Sequence, residues 1–337
     1  MRLRRARAAW GVALAVLASC EHAKPFGPAD LGPNQPYSAG FPRRLTFNLL
    51  GDVQPAWLPA DSGIIYSVSM AGATNDHCLG ILPPGGGHLE RTICHPPSPG
   101  GDSTTALWVP AVSPAGYLAY VREVSRPGAL APDSTALVLA SLTVPDPGRV
   151  LLRLPYTAPD GTLQSGLRDL RWLHEGTLVF LGGTVGYSFP PYPWDTTFTP
   201  TEIMRLNVGG DSTQPTVVPG TIGATSLATD SSDALYYTLA GDSRVYRRLE
   251  GAPSATVWYD FGAAGPASDL QVSGSVLVAV AGGEPYRVNV VTGSRVAIPW
   301  PGSLALGRVA LSRDGTRLAA EGTGAGAFPD LWLLEVP

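Results

Sequence analysis

Lysine is almost missing from this chain. Lys24 is the single copy in 337 residues, and arginine carries the rest of the positive charge, a bias of genome composition before it is one of chemistry. The formal net charge of −4 and a pI near 5.7 exclude the basic face that a nucleic-acid binder needs. Long apolar runs are also lacking: the stretch from Trp10 to Ala18 is too short to span a bilayer comfortably. Histidine is scarce, with five copies, and three of them (His77, His88 and His95) fall within one short segment. No G-x-S-x-G nucleophile elbow occurs, and His174 has no acid and nucleophile at motif spacing, so no catalytic triad is legible. What the chain has in abundance is glycine (40) and proline (33), together more than a fifth of it, which suits a protein of many turns. With 44% hydrophobic residues there is enough apolar material for a sizeable core.

The N-terminus, "MRLRRARAAWGVALAVLASC", places Arg2, Arg4, Arg5 and Arg7 before the apolar run and small residues after it. This is the layout of a secretory signal peptide over residues 1–19. Leu17-Ala18-Ser19-Cys20 resembles the lipobox of bacterial lipoproteins, which implies cleavage before Cys20 and acylation of that cysteine. Glu21 is not the aspartate associated with inner-membrane retention, so the expected destination is the outer membrane, facing the periplasm. Several acyl chains anchor stably where one does not. Residues 20–42 then read as the lipidated cysteine and a proline-rich tether.

A hairpin pattern recurs through the remainder. "WLPADSGIIYSV" turns at Gly63, "AVSPAGYLAYV" at Gly116 and "LRWLHEGTLVFLG" at Gly176. "LATDSSDALYYTL" has Asp233 in the equivalent place, "LQVSGSVLVAVAG" has Gly274 and "VALSRDGTRLAA" has Gly315. The intervals are 53, 60, 57, 41 and 41 residues, a period that with strands on both sides of each turn marks propeller blades. Two further strand-like runs follow most of these hairpins. The expected fold is therefore all-β: a six-bladed β-propeller of four-stranded antiparallel blades over residues 43–337. The last unit has one strand too few, and an orphan strand at about 43–50 precedes the first. Pairing the two closes the ring and removes its exposed edges.

The motifs resemble the TolB-like (WD40-like) propeller family, whose blades carry a "P-x-W-S-P-D-G-x-x-I-x-F" hairpin followed by "…LT". Here the corresponding residues are Leu45-Thr46, Pro55, Trp57, Pro59, Asp61, Gly63 and Ile65, then Ser113-Pro114 and Gly116, then Ser312, Asp314 and Gly315. TolB itself has a separate N-terminal α/β domain with no counterpart here, so its translocation role does not transfer.

Asp61 and Asp314, each in a tight turn, read as turn formers that bond their own backbone rather than as catalytic acids. The thrice-repeated "GDS" reads the same way. In "DHCLGILPPGGGHLERTICH" a hairpin centred near residue 86 sets position 78 opposite 94, which makes Cys78–Cys94 a disulfide pair in an exported protein. His77 and His95 would then share the other face of the strand pair, a weak and incomplete metal candidate. The extra length of the first three units lies in loops at 125–135 and 184–202, on one face of the ring. The second loop carries Tyr187, Tyr192, Trp194 and Phe198, aromatics of the kind that partner proteins and sugars meet. Asp52, Gln54, Trp108, Arg168, Asp169, Asp269 and Arg308 precede or open the inner strands and are expected around the channel mouth on that face.

These features predict a lipid-anchored, monomeric envelope propeller without cofactor that binds a protein or glycan and does no chemistry. The alternative is a hydrolase or lyase using the central channel, and a third reading is an accessory piece of an envelope assembly. A peptidase propeller is disfavoured because no catalytic domain follows Pro337.

Overall fold

The computed structural model describes residues 42–337 apart from 48–49, 71–74, 88, 97–102, 127–128, 130, 146–147, 159, 174–175, 189–194, 210–213 and 326–327. The leader, Cys20 and nearly all of the tether lie outside the described residues, as do Tyr192, Trp194, His88 and His174.

The described chain is all-β, with almost no helix. β1 (Arg43–Arg44) leads into β2 (Asp52–Trp57), β3 (Ile64–Ser69), β4 (Asn75–Leu82) and β5 (Arg91–Ile93). A second quartet is β6 (Thr104–Val112), β7 (Tyr117–Ser125), β8 (Ser134–Ser141) and β9 (Arg149–Leu154). A two-stranded ribbon, β10 (Tyr156–Thr157) and β11 (Leu163–Gln164), precedes β12 (Gly166–Leu173), β13 (Thr177–Ser188), β14 (Asp195–Asn207) and β15 (Thr216–Val217). Then come β16 (Ala224–Thr229), β17 (Leu235–Leu239), β18 (Arg244–Arg248) and β19 (Thr256–Asp260). β20 (Ala267–Ser273), β21 (Val276–Ala281), β22 (Glu284–Asn289) and β23 (Arg295–Ala297) follow, and the chain ends with β24 (Ala305–Leu311), β25 (Arg317–Thr323) and β26 (Asp330–Glu335).

The quartets β12–β15, β16–β19 and β20–β23 are separate antiparallel four-stranded sheets, arranged as in a propeller. Two features of this arrangement differ from expectation. Where six separate blades were expected, β2–β9 form one eight-stranded sheet. Short β5 covers only Leu79–Ile81 of β4, so the other end of β4 is an open edge, and β6 pairs with it in parallel through Asn75↔Thr105 and His77↔Ala106. The closing strand is also shorter than the expected 43–50. β1 pairs with β26 through Arg43↔Leu333 and Arg44↔Trp332, giving a sheet of order β1-β26-β25-β24. Beyond β1, Leu45 N–H donates to the Leu331 carbonyl (2.7 Å) and Leu331 N–H donates to Thr46 Oγ1 (2.9 Å).

Each quartet presents apolar side chains on both faces, as a blade between two neighbours must. Six buried clusters follow, each shared by two consecutive quartets: Ile65 with Leu118, Leu137 with Phe180, Leu181 with Tyr237, Tyr236 with Leu277, and Val280 with Leu334. The sixth joins the last quartet to the first, with Leu331 and Leu333 against Leu45, Ile64 and Tyr66.

Candidate functional site

The hairpin turns expected from the repeat are where the sequence puts them. Gly116, Gly176, Gly274 and Gly315 have positive φ, and Asp233 takes the same left-handed conformation at φ 61°. Asp314 accepts from Ser312 Oγ (2.6 Å) and from Thr316 N–H (3.0 Å), closing its own turn. Asp61 departs from its expected role. Its carboxylate accepts from the backbone N–H groups of Arg313 (2.7 Å) and Asp314 (3.1 Å), so it ties the first turn to the last one across the ring closure. In the third "GDS", Asp242 accepts from Arg244 and Tyr246 while Ser243 donates to Asp260, which is turn chemistry.

The opposite end of the inner strands builds the site. Every innermost strand carries an irregularity midway: at Gln54–Pro55, Val109–Pro110, Asp169–Leu170, Thr225, Asp269–Leu270 and Gly307–Arg308. Gln54, Val109, Asp169 and Asp269 adopt φ between 49° and 57° there. A bulge re-aims side chains, and those of Gln54, Asp169, Asp269 and Arg308 line one shared cavity.

These groups bond to one another across the channel. Arg308 Nη1 donates to Asp169 Oδ1 (2.8 Å) and to Asp269 Oδ1 (2.7 Å), linking β24 to β12 and β20. Asp169 foremost, and Asp269 with it, hold the Arg308 guanidinium charged well beyond its ordinary range against the cost of burial. Gln54 Oε1 accepts from Val109 N–H (2.6 Å), and Gln54 N–H donates to the buried Glu321 carboxylate. Burial pushes Glu321 up to about 7. A Cβ on Gly307 would collide with the Glu321 side chain, so glycine is what lets the two strands approach here. The space left among Gln54, Arg168, Asp169, Asp269 and Arg308 is a cavity of about 40 Å³. Toward the turn face the channel widens to about 240 Å³ between Trp57, Trp172 and several prolines. A further cavity, about 410 Å³, is an outer groove between β14–β15 and the β18–β19 turn, away from the axis.

Above the constriction lies an aromatic and charged rim. The Arg168 guanidinium sits 4.6 Å from the centre of the Phe198 ring, an arginine–aromatic stack. Burial and the neighbouring Arg308 both lower its basicity. Trp108 Nε1 donates to Glu123 Oε2 (2.8 Å), and the Trp108 ring lies 3.9 Å from the ring of His77. Tyr187, 37% exposed, is pushed up to about 12 by burial and by the Glu123 charge. Asp52 is fully buried.

The aromatic segment expected as a loop at 184–202 is mostly strand. β13 and β14 extend through it as a long hairpin with Val185↔Phe198 and Tyr187↔Thr196. Val, Tyr, Thr and Phe are strong strand formers, and pairing satisfies backbone groups that a loop would leave to water.

The β4–β5 register puts Leu79 opposite Ile93 and hence position 78 opposite 94; Cys78 and Cys94 are disulfide-bonded with Cα atoms 4.7 Å apart. His77 faces the other way. Its Nε2 lies 2.6 Å from Ser69 Oγ, its cross-strand neighbour, and its Nδ1 is buried without a hydrogen-bond partner among the described residues. Burial holds it down to about 4, so the imidazole is neutral at pH 7 and too weak a base to activate Ser69. Among the described residues no three histidine, cysteine or acidic side chains are grouped to hold a metal.

Glu123, Glu321 and the Ser69–His77 pair were not singled out by sequence reasoning. Glu321 had a signal, a lone acid in the apolar run "RLAAEGT". Glu123 and Ser69 had none, and His77 was marked only as a metal candidate, because the partners of all three come from different strands.

No family model matches the chain, and no curated protein matches it in sequence. Solved structures do. A gluconolactonase from Xanthomonas campestris is similar with a TM-score of 0.55 at 16% identity, covering 88% of this chain and 90% of that one. TolB from Acinetobacter baumannii is similar with a TM-score of 0.51 at 17% identity, covering 81% and 64%. An oligogalacturonate lyase from Vibrio parahaemolyticus has a TM-score of 0.51 at 12% identity, covering 85% and 78%. Likeness at this identity is likeness of fold, and this fold serves enzymes as well as TolB.

Proposed function

We propose that this chain is a lipid-anchored β-propeller of the cell envelope that binds a protein or glycan on its rim and performs no chemistry. Counting the eight-stranded sheet as two blades joined at one edge makes six blades, in agreement with the six inter-quartet clusters. The repeat places it near the TolB-like propellers, and the leader assigns it to the outer membrane, facing the periplasm, through Cys20. It acts as a monomer and without a cofactor in this reading. One observation carries the binding role. Arg308, clamped between Asp169 and Asp269, closes the channel to about 40 Å³. The surface left to a partner is then the rim of Trp108, Tyr187, Arg168 and Phe198, with Tyr192 and Trp194 as expected additions. The alternative, a channel hydrolase or lyase, has no comparable support: the Ser69–His77 pair has a weak base, His77 being held down to about 4 by burial.

The test is an in-cell crosslinking pull-down of the full chain beside a Tyr187→Ala/Phe198→Ala variant of matched thermal stability. Envelope components enriched by the parent and lost from the variant support the rim as the binding face. Identical catches overturn it. Incorporation of labelled palmitate that disappears in Cys20→Ser supports the anchor, and equal labelling removes it.

A further inference from the structure

The channel mouth holds two unused hydrogen-bonding groups of opposite kind. Asp169 is 7% exposed; its Oδ1 is taken by Arg308, while Oδ2 is buried with no partner among the described residues. A buried carboxylate oxygen left unpaired costs stability, so its persistence points to a donor that is supplied from outside the chain. Beside it, the Arg168 guanidinium makes no hydrogen bond among the described residues; it stacks on Phe198 and feels the charges of Asp169 and Asp269 without a direct bond to either. The charge balance of the cavity is positive: Arg168, Arg171 and Arg308 face Asp169 and Asp269. The third acid nearby, Glu321, is drawn toward its neutral form and carries only part of a negative charge near pH 7.

We infer that the mouth is a site for a uronic acid residue, its carboxylate paired with Arg168 and one of its hydroxyls donated to Asp169 Oδ2. This rests on the rim-binding reading above and names the ligand class within it. The cavity admits a single hydroxyl and no ring, so the sugar ring stays outside the constriction. Arginine suits the carboxylate because its planar fork donates two parallel N–H bonds, and stacking on Phe198 fixes the plane in advance. An anion there also relieves the repulsion between Arg168 and Arg308. A neutral sugar would satisfy Asp169 and leave Arg168 unpaired; a simple carboxylate would do the reverse.

The experiment is calorimetric titration of the full chain with glucuronate, glucose and acetate, repeated on Arg168→Met and Arg168→Lys. Glucuronate is expected to bind at least about tenfold more tightly than either control. Arg168→Met should lose at least about tenfold in glucuronate affinity, and Arg168→Lys should fall between it and the parent. Unliganded thermal midpoints equal to that of the parent show that the variants are folded. Acetate binding as tightly as glucuronate reduces the site to an anion site and overturns the inference. So does glucuronate binding that is absent at millimolar concentrations or indifferent to Arg168. If the crosslinking still captures a rim-dependent envelope protein after any such result, the scaffold reading stands and this ligand alone falls.

Discussion

Glu321 and His77 are both buried beside the channel mouth, and their protonation couples to folding with opposite sign. Glu321 has its pKa raised from 4.5 to about 7 by burial. Between those values the folded state binds the extra proton, so its contribution is fully present at low pH and is lost as pH rises through 7. His77 is lowered from 6.5 to about 4 by burial. There the unfolded state binds the extra proton, so its contribution is present above 6.5 and is lost as pH falls toward 4. Each slope reaches at most about 1.4 kcal/mol per pH unit, and the two oppose between pH 4.5 and 6.5. Urea unfolding across this range should show Glu321→Gln gaining stability relative to the parent as pH rises, and His77→Gln losing it. Parallel pH profiles for the parent and both variants would show that neither group titrates as its burial requires.

At the scale of single elements, turn chemistry and strand pairing account for most of what the repeat pattern anticipated. Asp233 stands in the left-handed position that glycine holds in the neighbouring hairpins, which justifies aligning it with them. The β4–β5 hairpin was legible because its register follows from the centre of the turn alone. Its disulfide closes a loop with a sequence separation of 16, and by chain entropy that is worth about 3 kcal/mol. Cys78→Ser/Cys94→Ser should lower the unfolding free energy by about that amount in denaturant titration. A change under about 0.5 kcal/mol would mean that the unfolded chain gains no freedom from losing the bond. The long β13–β14 hairpin was not legible. Tyr187 and Phe198 read as part of a stiff loop, because the pairings that make them strand, Tyr187↔Thr196 and Val185↔Phe198, leave no alternation in the sequence.

At the scale of the whole molecule, the ring is held shut by a short segment. Leu45 is buried against Leu331 and Leu333, Thr46 satisfies Leu331 N–H, Arg44 pairs with Asp330 at 2.7 Å, and Asp61 bridges the first and last turns. Removing residues 1–46 leaves the edge of β26 bare and should cost on the order of 3–5 kcal/mol relative to a chain starting at residue 42. It should also give concentration-dependent association in sedimentation, as an unpaired edge recruits another chain. Equal thermal midpoints for the two chains would mean that the ring closes without the N-terminal segment.

The sequence by itself determined the all-β class, the period, the turn positions, the strand that closes the ring and the cysteine pair. All of these depend on local pattern: alternation of side chains, turn residues at fixed offsets, and register counted from a turn. Tertiary structure decided which polar residues meet. Arg308 reaches Asp169 across 139 positions and Gln54 reaches Glu321 across 267, because bulges on separate inner strands converge on one axis. Such convergence leaves no periodic trace in the chain, since each bulge is specified within its own strand and only closure of the ring brings them together.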